Sequence, residues 1–353
     1  MQKQGLQEPR ALQRPLGVAA SLRSPCLRLE TEQPVATPTD YHVGAPSRGR
    51  FNSPGYATVY GTHVPYPTPD CQPQAQVPES GGAFALLTSM APAVRSTTAS
   101  GSAVYESERA VHEYLQFHYG EPSAVVPYSF APLDALQFLP RTVERCAKLT
   151  PVGQHGRALD IGCAVGRASF ELSKFYDETV GIDFSQHFVD AAKQMKERGE
   201  MQYEAHIQGD IHELRHAKLP GGAKPASVTF EQGDACNLSP SLGKFDAVFA
   251  SNLLCRLPEP QKFLTEIGGF INSGGILALV SPYSWLEEYT AKDKWIGGVR
   301  DGEGKPVDSF SVIEKLLSAD FELVERQDYP FMIREHERKF QWGVSDGTFW
   351  RRK

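Results

Sequence analysis

Asp160, Gly162, Gly166, Asp183 and Asp234 are the residues of this 353-residue chain whose types and spacing point most directly to chemistry. Gly162 and Gly166 lie in RALDIGCAVGR at 157–167. There Ala158, Leu159 and Ile161 suit a short buried strand, and the glycines permit a sharp turn with close approach of backbone to a ligand. The following ASFELSKF places Ala168, Leu172 and Phe175 on one helical face, so a helix is expected to start at the turn. At 180–183 comes VGID, where Asp183 closes a second apolar strand and is placed to accept both hydroxyls of a ribose. A strand-end aspartate also suits a helix N-cap, but Ser185, opening SQHFVDAAKQM, is the better cap. A glycine turn followed by such a carboxylate is how a doubly wound α/β sheet holds a nucleoside-containing cofactor.

Dinucleotide enzymes carry GxGxxG, with a pyrophosphate at the helix N-terminus. Here Gly162, Ala164 and Gly166 follow Asp160, which resembles the (D/E)xGxGxG motif of S-adenosylmethionine-dependent class I methyltransferases. In VTFEQGDACNL a strand precedes Gly233, Asp234 and Ala235, the position at which methyltransferases hydrogen-bond the adenine amino group and pack a small residue on its ring. In KFDAVFASNLLCRL, Asp246 opens a fourth apolar strand, and Ser251 and Asn252 sit just past its carboxyl end, where ligands bind in such sheets. FLTEIGGFINSGGILALVSP reads as a helix, a Gly274–Gly275 turn and a fifth strand. The order βαβαβαβαβ predicts a doubly wound, mostly parallel seven-stranded sheet of the Rossmann-like class I methyltransferase type. Strands near 322–326 and 340–344 would complete it as an antiparallel hairpin. A helical segment near 105–149 is expected to pack against the sheet, and 281–304 reads as a loop or lid.

From Tyr105 to Trp350 the chain resembles the ovothiol-biosynthesis methyltransferase family, the 4-mercaptohistidine N1-methyltransferase that forms the C-terminal part of ovothiol synthase. The segments that carry the resemblance are YESERAVHEYLQFHYG at 105–120, ALDIGCAVGRASFEL at 158–172, GDACNL at 233–238, SPYSWLEEYT at 281–290 and FMIREHERKFQWG at 331–343. The resemblance implies transfer of a methyl group from S-adenosylmethionine to an imidazole ring nitrogen of 5-thiohistidine, also called 4-mercaptohistidine. No HxxxHxE iron signature stands in the sequence, so the thiohistidine is expected from a sulfoxide synthase on a separate protein. Two other classes stay open: a class I methyltransferase with another small-molecule acceptor, and a nonenzymatic binding protein that kept the fold.

Cofactor contacts are expected from Asp160, Gly162, Cys163, Ala164, Gly166, Asp183, Phe184, Asp234, Ala235, Ser251 and Asn252. An amino-acid acceptor needs its carboxylate paired, most simply by an arginine fork, and its ammonium met by a carboxylate or carbonyl. Candidates by position are Arg167, Arg256, Arg334, Glu287 and Glu288, with Asn252 beside the cofactor. Any one arginine or glutamate could equally be solvated surface. Tyr283 and Trp285 follow the fifth strand, where an aromatic wall can stack on an imidazole; ordinary packing is the alternative. Tyr105 and Tyr119 are candidates for a lid. No dedicated catalytic base is assigned, because a sulfonium is already a good leaving group.

The string HELRH at 212–216 matches HExxH, but it runs into Leu219-Pro220-Gly221-Gly222 and reads as a short solvated helix, so no metal is expected. His118 reads as packing with Val111, Tyr114 and Leu115. Six cysteines, at 26, 71, 146, 163, 236 and 255, form no CxxC pair and fit reduced thiols in a cytoplasmic enzyme. Residues 1–100 hold 13 of the 26 prolines and lack sustained periodicity, so 1–104 reads as a disordered tail and 105–353 as the domain. Five basic residues against Glu8 alone in the first 29 is a bias shared with organelle transit peptides. Beyond position 100, 28 basic residues face 36 acidic ones, a poor match for phosphate backbones, so neither DNA nor RNA is expected as substrate. No run of 18 apolar residues predicts a membrane span.

Overall fold

The computed structural model describes residues 105–353; the expectations of a disordered tail and a targeting segment fall on residues outside that range. The described chain opens with three helices: α1 (Glu108–Tyr119), α2 (Pro122–Val125) and α3 (Phe138–Leu149). Next come β1 (Arg157–Ile161), α4 (Arg167–Leu172), β2 (Glu178–Asp183) and α5 (Gln186–Arg198), then a hairpin of β3 (Glu200–Gln208) and β4 (Ile211–Lys218). The sheet resumes with β5 (Val228–Gln232) and β6 (Phe245–Ser251), followed by α6 (Pro260–Glu266) and β7 (Ile271–Ser281). The chain closes with the short pair β8 (Val299–Arg300) and β9 (Pro306–Val307), α7 (Ser309–Leu317), β10 (Phe321–His336) and β11 (Lys339–Arg352).

Seven strands form one sheet in the order β10-β11-β7-β6-β1-β2-β5. The five from β5 to β7 are parallel, and β11 and β10 add antiparallel neighbours, as expected for a doubly wound class I methyltransferase sheet. Period-two alternation sorts the strand residues to the two faces. Leu159, Ile161, Val180, Ile182, Leu277 and Leu279 pack with Phe263 and Leu264 of α6 and Ile313 and Leu317 of α7. Ala158, Ala247, Phe249, Ile276 and Ala278 face Phe138, Val143 and Cys146 of α3 and Ala168 and Leu172 of α4. Both faces are therefore covered, which a parallel sheet requires.

The helix after the glycine turn is shorter than its periodicity predicts. It ends at Leu172, so Phe175 turns outward at 39% exposure while Tyr176 is buried and bonds to Thr150. HELRH is not a helix but strand β4, paired with β3 across a turn at Gly209, whose φ is +56°. Tyr203 and Ala205 of β3 bury themselves against α1 and α5, and that packing overrides the helical reading of the partner strand. Between β5 and β6 the crossover holds only a 3₁₀ turn at Pro240–Leu242 instead of a full helix. The segment after β7 is anchored rather than a free lid. Trp285 Nε1 donates to Ser309 Oγ, Thr290 Oγ1 to the Leu257 carbonyl, and Trp295 Nε1 to the Thr290 carbonyl. The final strands run 16 and 14 residues, enclosing the short stretches expected from sequence. Among the described residues no helix is long and apolar enough to cross a membrane.

Gly166 holds α4 against the sheet. Its φ is +85°, and a Cβ there would stand 2.7 Å from Phe230 Cζ; the same ring would meet a Cβ on Gly181 at 2.7 Å. Replacing Gly166 with alanine combines a left-handed penalty with overpacking, so Gly166→Ala should lower stability by about 2–4 kcal/mol. Urea unfolding followed by circular dichroism measures this; an unchanged midpoint would mean that Phe230 does not constrain the turn.

Candidate functional site

A cavity of ≈ 470 Å³ opens at the carboxyl ends of the parallel strands. Its floor is the β1–α4 turn. Gly162 (φ +74°) and Cys163 donate their backbone N–H groups to the Ile182 carbonyl at 2.8 and 3.0 Å. A Cβ on Gly162 would come within 2.9 Å of Leu253 Cδ1, so the turn and the segment after β6 close on each other there. Ala164, also at positive φ (+45°), donates its N–H to Asp183 Oδ2 at 2.8 Å, and the Ser185 N–H reaches Asp183 Oδ1 at 2.9 Å. Ser185 also caps α5 through its hydroxyl, which accepts from the Phe188 N–H.

Asp160 is buried and accepts from Ser169 Oγ at 2.6 Å. Burial lifts its carboxyl to about 7, with the Asp183 charge adding to the rise and the Ser169 bond opposing it. Burial likewise lifts Asp183 to about 6 against its two backbone N–H bonds. Cys163 lies between these carboxylates, and burial followed by their charges raises its thiol, which stays protonated. Asp234 begins a turn by accepting the Cys236 N–H at 2.8 Å. Asn252 (φ +53°) donates its N–H to the Val280 carbonyl at 2.7 Å, and its side-chain oxygen accepts from Ser345 Oγ at 2.7 Å. Ser251 Oγ is buried without a partner.

Asp160, Gly162, Cys163, Ala164, Asp183, Phe184, Asp234, Ala235, Ser251 and Asn252 all line this one cavity. Gly166 does not; it packs beneath Phe230. Of the acceptor candidates, Arg256 and Asn252 line it as well. Arg256 Nη1 donates to the Ser284 and Cys255 carbonyls at 2.8 and 3.0 Å, and its guanidinium lies 4.7 Å from the Tyr289 ring centre.

The remaining candidates are elsewhere. Arg167 pairs with Glu171 and donates to the His118 carbonyl beside a smaller cavity of ≈ 200 Å³. Arg334 is buried, with Nη1 donating to the Ala124 and Val125 carbonyls, so it ties α2 to β10. The Tyr283 hydroxyl donates to Asp346, Trp285 lies in the core, and Glu287 and Glu288 are exposed away from the cavity lining. Tyr119 donates to the Val165 carbonyl and stands at the smaller cavity, whereas Tyr105 is in the main wall.

Residues 159–279 match a family model described as a methyltransferase domain. The matched segment is thus a methyltransferase-type domain, with S-adenosylmethionine as its cofactor. It is 26% identical over 143 residues to magnesium-protoporphyrin O-methyltransferase of Rhodobacter capsulatus, covering 40% of this chain and 50% of that protein. It is 24% identical over 200 residues to sterol 24-C-methyltransferase of Debaryomyces hansenii, covering 54% of this chain and 45% of the relative. The chain thus spans about half the length of these two curated relatives. Among solved structures, magnesium protoporphyrin IX methyltransferase from Synechocystis PCC 6803 with bound S-adenosylmethionine aligns at 17% identity and a TM-score of 0.40, over 70% of this chain and 97% of that one.

The methyltransferase domain offers this cofactor a fitting donor set. Asp183 uses two of roughly four lone-pair sites internally, leaving two for ribose hydroxyls. Asp234 can meet the adenine amino group, Gly162 leaves room for the nucleoside, and the unpaired Ser251 hydroxyl is available to the amino-acid end. Among the described residues no group of three or more His, Cys, Asp or Glu side chains could hold a metal, and Cys146, Cys163, Cys236 and Cys255 are free thiols.

Sequence reasoning missed part of the methyltransferase wall. Tyr114, Phe117 and His118 of α1, Phe138 and Leu139 of α3, Tyr289, and Phe331, Ile333 and Gln341 of the final hairpin line the cavity from outside the strand-end loops. The density of rings in HEYLQFHY was the available signal. The segment leading into α1 is fastened beside Asp183. The Ser185 hydroxyl donates to the Tyr105 carbonyl at 3.1 Å, the Gln186 N–H to Glu106 Oε1 at 3.1 Å, and His187 pairs with Glu106.

If ionised Asp183 receives the ribose, protonation competes with binding. Affinity for S-adenosylhomocysteine, read by calorimetry, should fall as pH is lowered through about 6, by up to roughly tenfold per pH unit. Asp183→Ala should bind it at least roughly tenfold more weakly and lose that pH dependence. Equal affinity at pH 7 and pH 5 would take Asp183 out of the cofactor site.

Proposed function

We propose that this protein transfers a methyl group from S-adenosylmethionine to an imidazole ring nitrogen of 5-thiohistidine. The observation that carries the reading is Arg256, the one lysine or arginine lining the cavity among the described residues, set at an aromatic wall. Tyr105 stacks on Tyr289 with ring centres 6.0 Å apart and meets Tyr114 edge to face at 6.0 Å. A flat ring bearing a carboxylate suits that pair of features: the ring against the tyrosines, the carboxylate on the guanidinium. The cofactor supplies a methyl group on a sulfonium, an activated leaving group.

The chain's residues then supply position and a dry site. Arg256, its Nη1 held by two carbonyls, fixes the carboxylate end of the acceptor. Tyr105, Tyr289 and Leu286 exclude water from the reacting nitrogen. No cavity histidine needs to take a proton during attack, because an unprotonated imidazole nitrogen already carries its lone pair. Asp183 and Asp234 give the cofactor side its negative charge, which suits a cationic ligand. A sulfoxide synthase on a separate protein would supply the thiohistidine.

Incubation with S-adenosylmethionine and 5-thiohistidine, with histidine alongside, should give one added methyl group on the thiohistidine by mass spectrometry. Arg256→Met should raise KM for thiohistidine by roughly 10–100-fold while leaving S-adenosylhomocysteine affinity within a few-fold. Methylation of a different small molecule, with no thiohistidine product, would keep the methyltransferase and replace its acceptor.

A further inference from the structure

His118, in the last turn of α1, stands between the main cavity and the ≈ 200 Å³ cavity and lines both. Its Nδ1 is sealed from solvent and has no hydrogen-bond partner. Tyr114 and Phe117 pack their rings against it, with centres 5.4 and 5.0 Å away. Arg167 approaches from the other side and donates to the His118 carbonyl at 2.6 Å. Burial, reinforced by the Arg167 charge, pushes the imidazole down to about 3, so the ring is neutral at physiological pH. A group titrating that low is a poor proton acceptor, which removes it as a general base.

A neutral imidazole carries one N–H and one lone pair. A buried N–H without an acceptor is the rarer and costlier defect, so the sealed Nδ1 takes the lone pair and the proton resides on Nε2. The ring thereby keeps one hydrogen-bond donor at a cavity wall otherwise built there from Tyr114, Phe117, Phe138 and Leu139. We propose that His118 is the specificity-determining residue for the acceptor, donating Nε2–H to the sulfur that distinguishes 5-thiohistidine from histidine. This rests on the acceptor assigned above. Histidine has a C–H where thiohistidine has sulfur, so its binding would set the Nε2–H against a group that cannot accept it, and such mismatches discriminate strongly.

The test compares dissociation constants for 5-thiohistidine and for histidine, measured by calorimetry on the full chain saturated with S-adenosylhomocysteine. Wild-type protein should favour thiohistidine, and His118→Leu should cut the ratio of the two constants by roughly 10–100-fold. His118→Gln, whose amide N–H can stand in for Nε2–H, should restore most of it. Affinity for S-adenosylhomocysteine should stay within a few-fold in both variants, which a general loss of structure would not allow. Where His118→Leu does not accumulate as folded protein, His118→Phe fills the ring volume without a donor and reads the same ratio. An unchanged ratio in the leucine or phenylalanine variant overturns the role of His118 while leaving the acceptor in place. A wild-type protein that does not bind thiohistidine overturns both.

Discussion

The Asp183 carboxylate is the constraint on which the site depends. It takes one N–H from the β1–α4 turn, at Ala164, and one from Ser185 at the head of α5. Two successive crossovers are thereby fixed to the end of one strand. Its own backbone carbonyl accepts the Gly233 N–H at 2.9 Å, which brings the Asp234 turn into the same frame. Three loops are thus referenced to one residue, and the strand-end wall of the cavity inherits its spacing from it. A carboxylate is suited to this role because it accepts from several directions while retaining lone pairs for a ligand.

That arrangement places two acidic groups in a poorly solvated pocket. Asp160 and Asp183 titrate at about 7 and about 6, above their ordinary range near 3.9. Between the unfolded and folded values the unfolded chain binds fewer protons, so these groups lower the stability of the ligand-free domain as pH rises from roughly 4 to 7. A cationic cofactor relieves the same burden by bringing compensating charge into the pocket. Affinity for a cationic ligand and the cost of burying these carboxylates therefore share one electrostatic origin.

The strand-end loops were legible in the sequence because each is a short-range device. Gly162 and Gly166 were readable from the turn they permit, Asp183 from its place at a strand end, and Asn252 from the last residues of an apolar run. The mostly parallel sheet and its closing antiparallel hairpin were legible from the alternation of strands and helices along the chain. What escaped reading depends on contacts between distant segments. Arg334 was a plausible carboxylate fork until the fold buried it against the carbonyls of Ala124 and Val125, some two hundred residues earlier. HELRH carries a helical motif, but the alternation of Met201, Tyr203, Ala205 and Ile207 in the preceding segment decides the outcome, because a strand there recruits a partner strand.

The roof of the cavity shows most clearly where local patterns stop being informative. α1 falls within the helical segment expected near 105–149, and Val111, Leu115 and Tyr119 bury one face of it. Yet Tyr114, Phe117 and His118, with Tyr105 just ahead of the helix, form a second aromatic face that packs on Phe188 and Phe138 and lines the cavity. That face becomes part of a site only because Glu106 and Tyr105 are bonded to the start of α5, beside Asp183. The strand-end side of the cavity is therefore set by loops whose geometry is encoded locally, whereas the facing wall is set by how one helix docks across them. Divergence in acceptor among proteins that share the turn needs no change in cofactor chemistry, since a change in the docked helix leaves Asp160, Gly162 and Asp183 where they are.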